Sequence, residues 1–499
     1  MNKTKFYGCL GILAFAGTMF TACSDDDDVN NNNATTAVWT VDGGLNACDH
    51  LLFTESDKAG SEEVNDNGTQ IGNGDQEFVF TGKQTLKKGT YILKGWVYIA
   101  NGAQLTIEPG TVIKGDKETK AALIAERGGK LVAQGSETQP IVFTSEQTPG
   151  TRRPGDWGGI ILCGKAHTNA AEQQIEGGPR SKHGGNDDSD NSGVLSYVRI
   201  EFAGYPFATD QEINGLTLGS VGKGTKIDHV QVSYSNDDSF EWFGGTVDCK
   251  YLIAYKGWDD DFDTDNGFSG HVQYGLAIRD PKIADKSMSN SFESDNNAKG
   301  TNADPHTSAV FSNFTFVGPK AGATDFVNEA SYITAGSMNP NNGSGLGRFQ
   351  SGMQIRRDSH LSCFNSVIVG WPVGLILDND LGDSQGAATA GLLKLQNIYM
   401  AHVDAIGTDK NKVLSDPANE SFSAKFFLAQ AGNVYSQQAT GWFDQTGYRP
   451  LAYSPLLSAA SFSDTLLSGF DKVAYVGAFD NETDWTANWA NFDPQNTNY

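Results

Sequence analysis

Three short stretches place an aromatic ring between a small or acidic residue and a carboxylate: Ser239-Phe240-Glu241, Asp261-Phe262-Asp263 and Ser291-Phe292-Glu293. The second and third continue alike, as Thr264-Asp265-Asn266 and Ser294-Asp295-Asn296. Neighbouring residues of a strand point to opposite faces, so a buried Phe puts Glu241, Asp263 and Glu293 on the outer face. On stacked strands about 4.8 Å apart, two carboxylates repel by about 1 kcal/mol in water and about 3 kcal/mol at an effective dielectric near 20. Asp237, Asp238, Asp259, Asp260, Asp265 and Asp295 add to that load. The cluster therefore calls for a counter-charge.

Three remedies compete. Ca²⁺ takes roughly six to eight oxygen ligands, which Asp259, Asp260, Asp263, Asp265 and Asp295 with nearby carbonyls would supply. Arg356 or Arg357, in Ile355-Arg356-Arg357-Asp358, would cross to Glu293 or Asp295. Raised carboxyl pKa values would instead make a catalytic pair. Trp242 and Trp258 flank the acids, with Tyr234 and Tyr255 close by. Exposed rings beside acids suit a sugar, because a ring covers pyranose CH groups while acids bond hydroxyls. That makes Trp242, Trp258, Asp237 and Asp238 ligand-binding candidates. The structural alternative is an aromatic column stacked inside the coils.

The elements that would carry this ladder are short and β-rich. Trp96-Val97-Tyr98-Ile99, Gln104-Leu105-Thr106-Ile107 and Ile141-Val142-Phe143-Thr144 alternate with turn signals such as Asn101-Gly102, Pro109-Gly110 and Gly128-Gly129. Such regularity means an all-β solenoid, sandwich or barrel. Spacing favours the solenoid: Glu241 and Asp263 are 22 residues apart, about one coil. Asp263 and Glu293 are 30 apart, one coil plus an inserted loop over Asp280 to Asn290. Asn236-Asp237-Asp238 falls over Trp258-Asp259-Asp260 at the same offset. A solenoid also explains the length, since each coil packs only on its neighbours.

Leu105 to Ile113, Lys130 to Gly135, Pro140 to Ser145, Asp156-Trp157-Gly158-Gly159-Ile160, Asn236 to Gly245 and the tail Val473 to Phe479 with Asp484-Trp485 resemble a family of Bacteroidota surface lipoproteins. The resemblance implies an all-β fold, a right-handed parallel β-helix with irregular N- and C-terminal caps, and supplies no catalytic residues. The expected organisation is a cap over 37–94, the β-helix over 95–400 and a second cap over 401–499. Ser421 to Gln430 reads as a short helix and Asn341 to Gly347 as a loop.

Enzyme readings take two forms, with Glu241, Asp263, Glu293 and Arg356 as catalytic candidates. Glu241 and Glu293, two rungs apart at about 9–10 Å, stand near the upper limit for an inverting glycosidase pair. Alternatively, Ca²⁺ on Asp260, Asp263 and Asp265 would acidify the α proton of a uronate. Arg356, Arg357 or Lys256 would then be the base of a pectate-lyase-like elimination. Fold analogy carries much of that scheme. The paired aspartates at 237 and 238 resemble those of polygalacturonase-type β-helices, but the companion Gly-His-Gly and Arg-Ile-Lys motifs are missing.

The N-terminus reads as an export signal over 1–22: Lys3 and Lys5, an apolar run from Phe6 to Phe20, then Thr21-Ala22-Cys23. Cys23 is the expected lipidation site, in a sequence that resembles a lipobox. Ser24, Asp25, Asp26, Asp27 and Asp28 look like the acidic signal that sends such lipoproteins to the exterior face of the outer membrane. Residues 23–36, rich in Asn and Asp, form a tether too poor in apolar groups to pack. The expectation is a lipid-anchored surface protein that binds an extracellular glycan, with an outer-membrane transporter as a partner in uptake. A polysaccharide lyase or glycosidase is the alternative, and a structural or adhesive protein a further one.

A formal charge of −24 without any basic stripe excludes a nucleic-acid binder. The widely spaced Cys48, Cys163, Cys249 and Cys363, without a CxxC pair, read as free buried thiols, with a disulfide as the alternative in an exported protein. His183 reads as a solvated loop residue. His229, His271 and His306 stand singly, with no HxH or HExxH pattern for zinc.

Overall fold

The computed structural model describes residues 69–499 apart from 171–172, 176–179, 209–210, 341–346 and 411–419. The export signal, Cys23, the run Ser24 to Asp28, the tether and Cys48 lie outside the described residues.

Two long parallel sheets run the length of the coil. One has eleven strands in strict chain order, from Phe78–Phe80 to Ala405–Thr408, so each turn of the chain contributes one strand. The other has seventeen strands and includes Gly193–Glu201, Lys226–Ser233, Cys249–Tyr255, His271–Ile278 and Val310–Val317. Each of these five bends at one left-handed residue: Tyr197, His229, Tyr251, Tyr274 and Asn313, with φ between 51 and 64°. Asn and His tolerate that conformation better than most residues, but Tyr does not adopt it readily. Ring stacking compensates, with centroids 4.2 Å apart for Tyr197–His229, 4.4 Å for His229–Tyr251 and 4.7 Å for Tyr251–Tyr274.

Inside the coil, Phe240, Phe262 and Phe292 lie in register on adjacent strands and are fully buried. Their ring centroids are 5.4 and 5.9 Å apart. The column continues to Met353 on the next strand. Packing there leaves no slack: a Cβ added at Gly275 would stand 1.8 Å from the Phe314 ring.

The ends differ from the expected caps. Thr69–Ile71, Lys83–Leu86 and Thr90–Leu93 already pair in parallel with later strands, so the coil begins inside 37–94. The exposed polar residues of that stretch, such as Lys83, Lys87 and Lys88, hide the buried Leu86, Tyr91 and Leu93 from a reading of periodicity. At the far end Ala405–Thr408 and Val434–Ser436 continue the sheets past 400. Helix Phe422–Ala429 starts where Ser421 accepts a hydrogen bond from the Ala424 N–H.

The last forty residues are a strap along the seventeen-stranded sheet. Ser461 meets Asn365, Asp471 meets Gln273, Asn491 meets Gln231, and the Tyr499 hydroxyl donates to Glu201 at 2.6 Å. Their partners step backward along the chain, so the strap retraces the coils. Beneath it lies a second aromatic cluster of Phe202, Tyr234, Tyr255, Trp258, Phe479 and Trp489. The column expected inside the coils for Tyr234 and Tyr255 therefore sits outside them, sealed by the strap.

Candidate functional site

The outer face of the eleven-stranded sheet presents the carboxylate ladder. Thr217, Glu241, Asp263, Glu293 and Gln354 occupy successive rungs in register. Alternation does the positioning: Phe240, Phe262 and Phe292 anchor one face of each strand in the core, and the acids take the other. The two spacings of 22 and 30 residues thus resolve into adjacent rungs. A second acidic row precedes the first. Asp238 accepts from the Asp260 N–H at 2.8 Å, and Asp260 in turn accepts from the Asn290 N–H.

The ladder is neutralised at one end. Arg356 bonds Glu293 and reaches Asp295 through Nε at 2.9 Å, while Arg357 reaches the other Asp295 oxygen at 2.6 Å. The crossing expected of Arg356 and Arg357 is present. Burial works to lower the Arg356 pKa, yet Glu293 and Asp295 raise it overall, so the guanidinium stays charged. Arg279, which no spacing marked, forms a fully buried pair with Asp261 at 2.9 Å. Ser291 donates to the other Asp261 oxygen.

At the opposite end, Asp238, Asp260, Asp263 and Asp265 form no ion pair with a described residue. Burial and the neighbouring carboxylates push all four pKa values well above the usual aspartate range. Asp259 is pushed up to about 8, by burial first and Asp285 next. One oxygen of Asp263, Oδ1, is buried without any hydrogen-bond partner. Ligand atoms of Asp238, Glu241 and Asp263 lie within 4.8 Å of one another, as do those of Asp237, Asp238 and Asp259. Asn214, also missed in the sequence, donates to Glu241. An all-oxygen donor set with an unpartnered carboxylate oxygen fits a hard cation such as Ca²⁺.

Several expectations fail on burial. Trp242 and Trp258 are fully buried, so neither offers a ring face to a sugar. Trp242 shares the parity of Phe240 and stacks on it inside the coil at 6.0 Å, while Trp258 lies under the strap. His183 is buried as well, bonded to Ser220 at 2.8 Å, and burial with Arg127 lowers its pKa to about 3. Cys163, Cys249 and Cys363 are buried and form no disulfide among the described residues.

Half-buried rings occur elsewhere. A cavity of about 480 Å³ on the seventeen-stranded sheet is lined by the half-buried Tyr197, His229 and Tyr251 with Glu137, Lys226 and Asp228. Burial raises the Asp228 pKa, but hydrogen bonds from His229, Ser196 and Lys226 outweigh it and bring the value down to about 2.

Eleven coils, parallel sheets and an outward acidic face define a parallel β-helix with a polar groove. The family model described as the pectate-lyase like beta helix domain matches residues 79–445. This chain belongs to that family. No curated protein and no solved structure matches the chain.

Proposed function

We propose that this chain is a lipid-anchored protein on the exterior face of the outer membrane, of the Bacteroidota surface type. It binds an extracellular glycan at the carboxylate groove and hands it to an outer-membrane transporter. Cys23 carries the lipid, and the acidic run from Ser24 to Asp28 directs export. The single observation behind the binding site is the one-sided neutralisation of the ladder: Arg356 and Arg357 pair with Glu293 and Asp295, whereas Asp238, Asp260 and Asp263 form no ion pair with a described residue. Ca²⁺ held by Asp238, Glu241 and Asp263 supplies the missing charge and leaves coordination positions for sugar hydroxyl or uronate oxygens. This binding mode needs no exposed aromatic ring.

The groove favours binding over elimination. A lyase needs an unprotonated base, and Arg356 and Arg357 are held by carboxylates. Lys256 pairs with Asp280 at 3.3 Å and lies over the Tyr255 ring. Burial works to lower its pKa, but Tyr234, Tyr255 and Asp280 raise it overall. A second glycan contact is the cavity beside Tyr197, where Glu137, Lys226 and Asp228 offer polar groups to sugar hydroxyls while the ring faces of His229 and Tyr251 are taken up by the stack.

Affinity electrophoresis against neutral and uronate-rich polysaccharides, with Ca²⁺ or with EDTA, tests the groove. Retardation that disappears in EDTA and in Asp238→Asn, Asp263→Asn is expected. Binding that survives both, yet is lost in Tyr197→Ala, moves the site to the cavity. Ca²⁺ stabilisation without glycan retardation makes the cation a structural brace. Acyl labelling lost in Cys23→Ala tests the anchor.

A further inference from the structure

We propose that His306, Asp358 and His360 form a second metal site, separate from the carboxylate groove and suited to a d-block divalent cation of the zinc class. His306 precedes the strand Val310–Val317 in one coil, and Asp358 and His360 lie in the turn between Ser351–Ile355 and Ser362–Phe364 of the next. Stacking of the coils brings them together. Ligand atoms of all three side chains lie within 4.8 Å of one another.

The distances favour a metal over a simple ion pair. His306 Nε2 and Asp358 Oδ2 stand 3.4 Å apart, long for a charge-assisted hydrogen bond. It matches instead the edge of a tetrahedron with Zn–N and Zn–O bonds near 2.0–2.1 Å, which is about 3.4 Å. The His306 and His360 rings are stacked at 4.2 Å and 8°, so binding one ion requires a ring to turn about its Cβ–Cγ bond until both nitrogen lone pairs point at the metal. His306 Nδ1 bonds the Asp304 carboxylate at 2.7 Å. That contact leaves Nε2 as the ligand nitrogen, the carboxylate–imidazole–metal arrangement that orients zinc-bound histidines.

The surroundings hold the triad without competing for it. The His360 N–H donates to Thr307 O at 2.8 Å, which locks the two histidine segments together. Ser384 Oγ accepts from the Asp358 N–H at 3.1 Å. Arg357, next to Asp358, is turned to Asp295. All three ligand residues are partly exposed, so a fourth position opens to water or to an anionic ligand. Two nitrogens and one oxygen favour zinc-class ions over Ca²⁺ or Mg²⁺, which the all-oxygen groove suits.

Calorimetric titration of the EDTA-stripped chain with Zn²⁺, in excess Ca²⁺, is expected to show one site of high affinity. Co²⁺ in its place should give the intense visible absorption of a four-coordinate ion. His306→Ala and His360→Ala should each remove that site, and Asp304→Asn should weaken it by about 10-fold with stoichiometry kept. Absence of Zn²⁺ binding and of Co²⁺ absorption in the unmutated chain overturns the proposal, whatever the variants do. Undiminished binding in a folded His306→Ala, His360→Ala variant overturns it equally.

Discussion

The two ends of the carboxylate ladder are built from the same residue types in the same register, yet only one carries its own counter-ions. Glu293 and Asp295 meet Arg356 and Arg357 from the next coil, whereas Asp238 and Asp260 face other acids and hydrogen-bond donors, and Asp263 feels Arg356 without pairing to it. A solenoid makes this asymmetry readable, because each coil supplies one rung and its neighbour supplies the partner. Where the following coil brings arginine, the charge is settled within the protein. Where it brings more aspartate, the charge is left for something outside.

The largest expected effect comes from breaking the column that both ends share. Phe262→Ala removes a fully buried ring between Phe240 and Phe292 and should cost about 3–5 kcal/mol, read from denaturant unfolding. Loss at the closed end comes next. Arg356→Ala strands the largely buried Glu293 and leaves Asp295 with Arg357 alone, and should cost about 3 kcal/mol. The same measurement checks it, and an unchanged unfolding midpoint would show that the pairing carries no stability.

The open end should answer to pH in the reverse sense of ordinary acid denaturation. Its aspartates hold protons more tightly folded than unfolded, so their protonated state favours the native form. That stability is complete below the unfolded pKa near 4 and fades as pH rises through the folded values, about 8 for Asp259. Melting temperature in EDTA should therefore fall from pH 5 to pH 8, and Ca²⁺ should flatten the slope. Equal slopes with and without Ca²⁺ would remove the cation from the groove. The smallest effect sharpens the contrast: Asp263→Asn should raise stability in EDTA by about 1 kcal/mol once solvent screening is allowed for. The same variant should lose part of the Ca²⁺ response.

Much of this was legible in the chain. The Phe parity and the spacings of 22 and 30 residues already fixed the register of Glu241, Asp263 and Glu293, because a parallel coil repeats its own offset. Arg356 and Arg357 were legible as partners for the same reason. Trp242 was legible too, since its parity points inward with Phe240, whereas Trp258 lies in a turn where parity has no meaning and is covered by the inserted loop and the strap together. Arg279 stands alone after a strand, with nothing in its spacing to mark it as the partner of Asp261.

By itself the sequence determined the coil, the direction in which each strand residue points, and hence an outward stack of acids; local periodicity suffices for all three. Only the tertiary structure decided which acids find arginine, which aromatic rings are covered, and that His306, Asp358 and His360 meet. Those outcomes depend on loops and a C-terminal strap that bring together residues tens to hundreds of positions apart. No local pattern encodes such a distance.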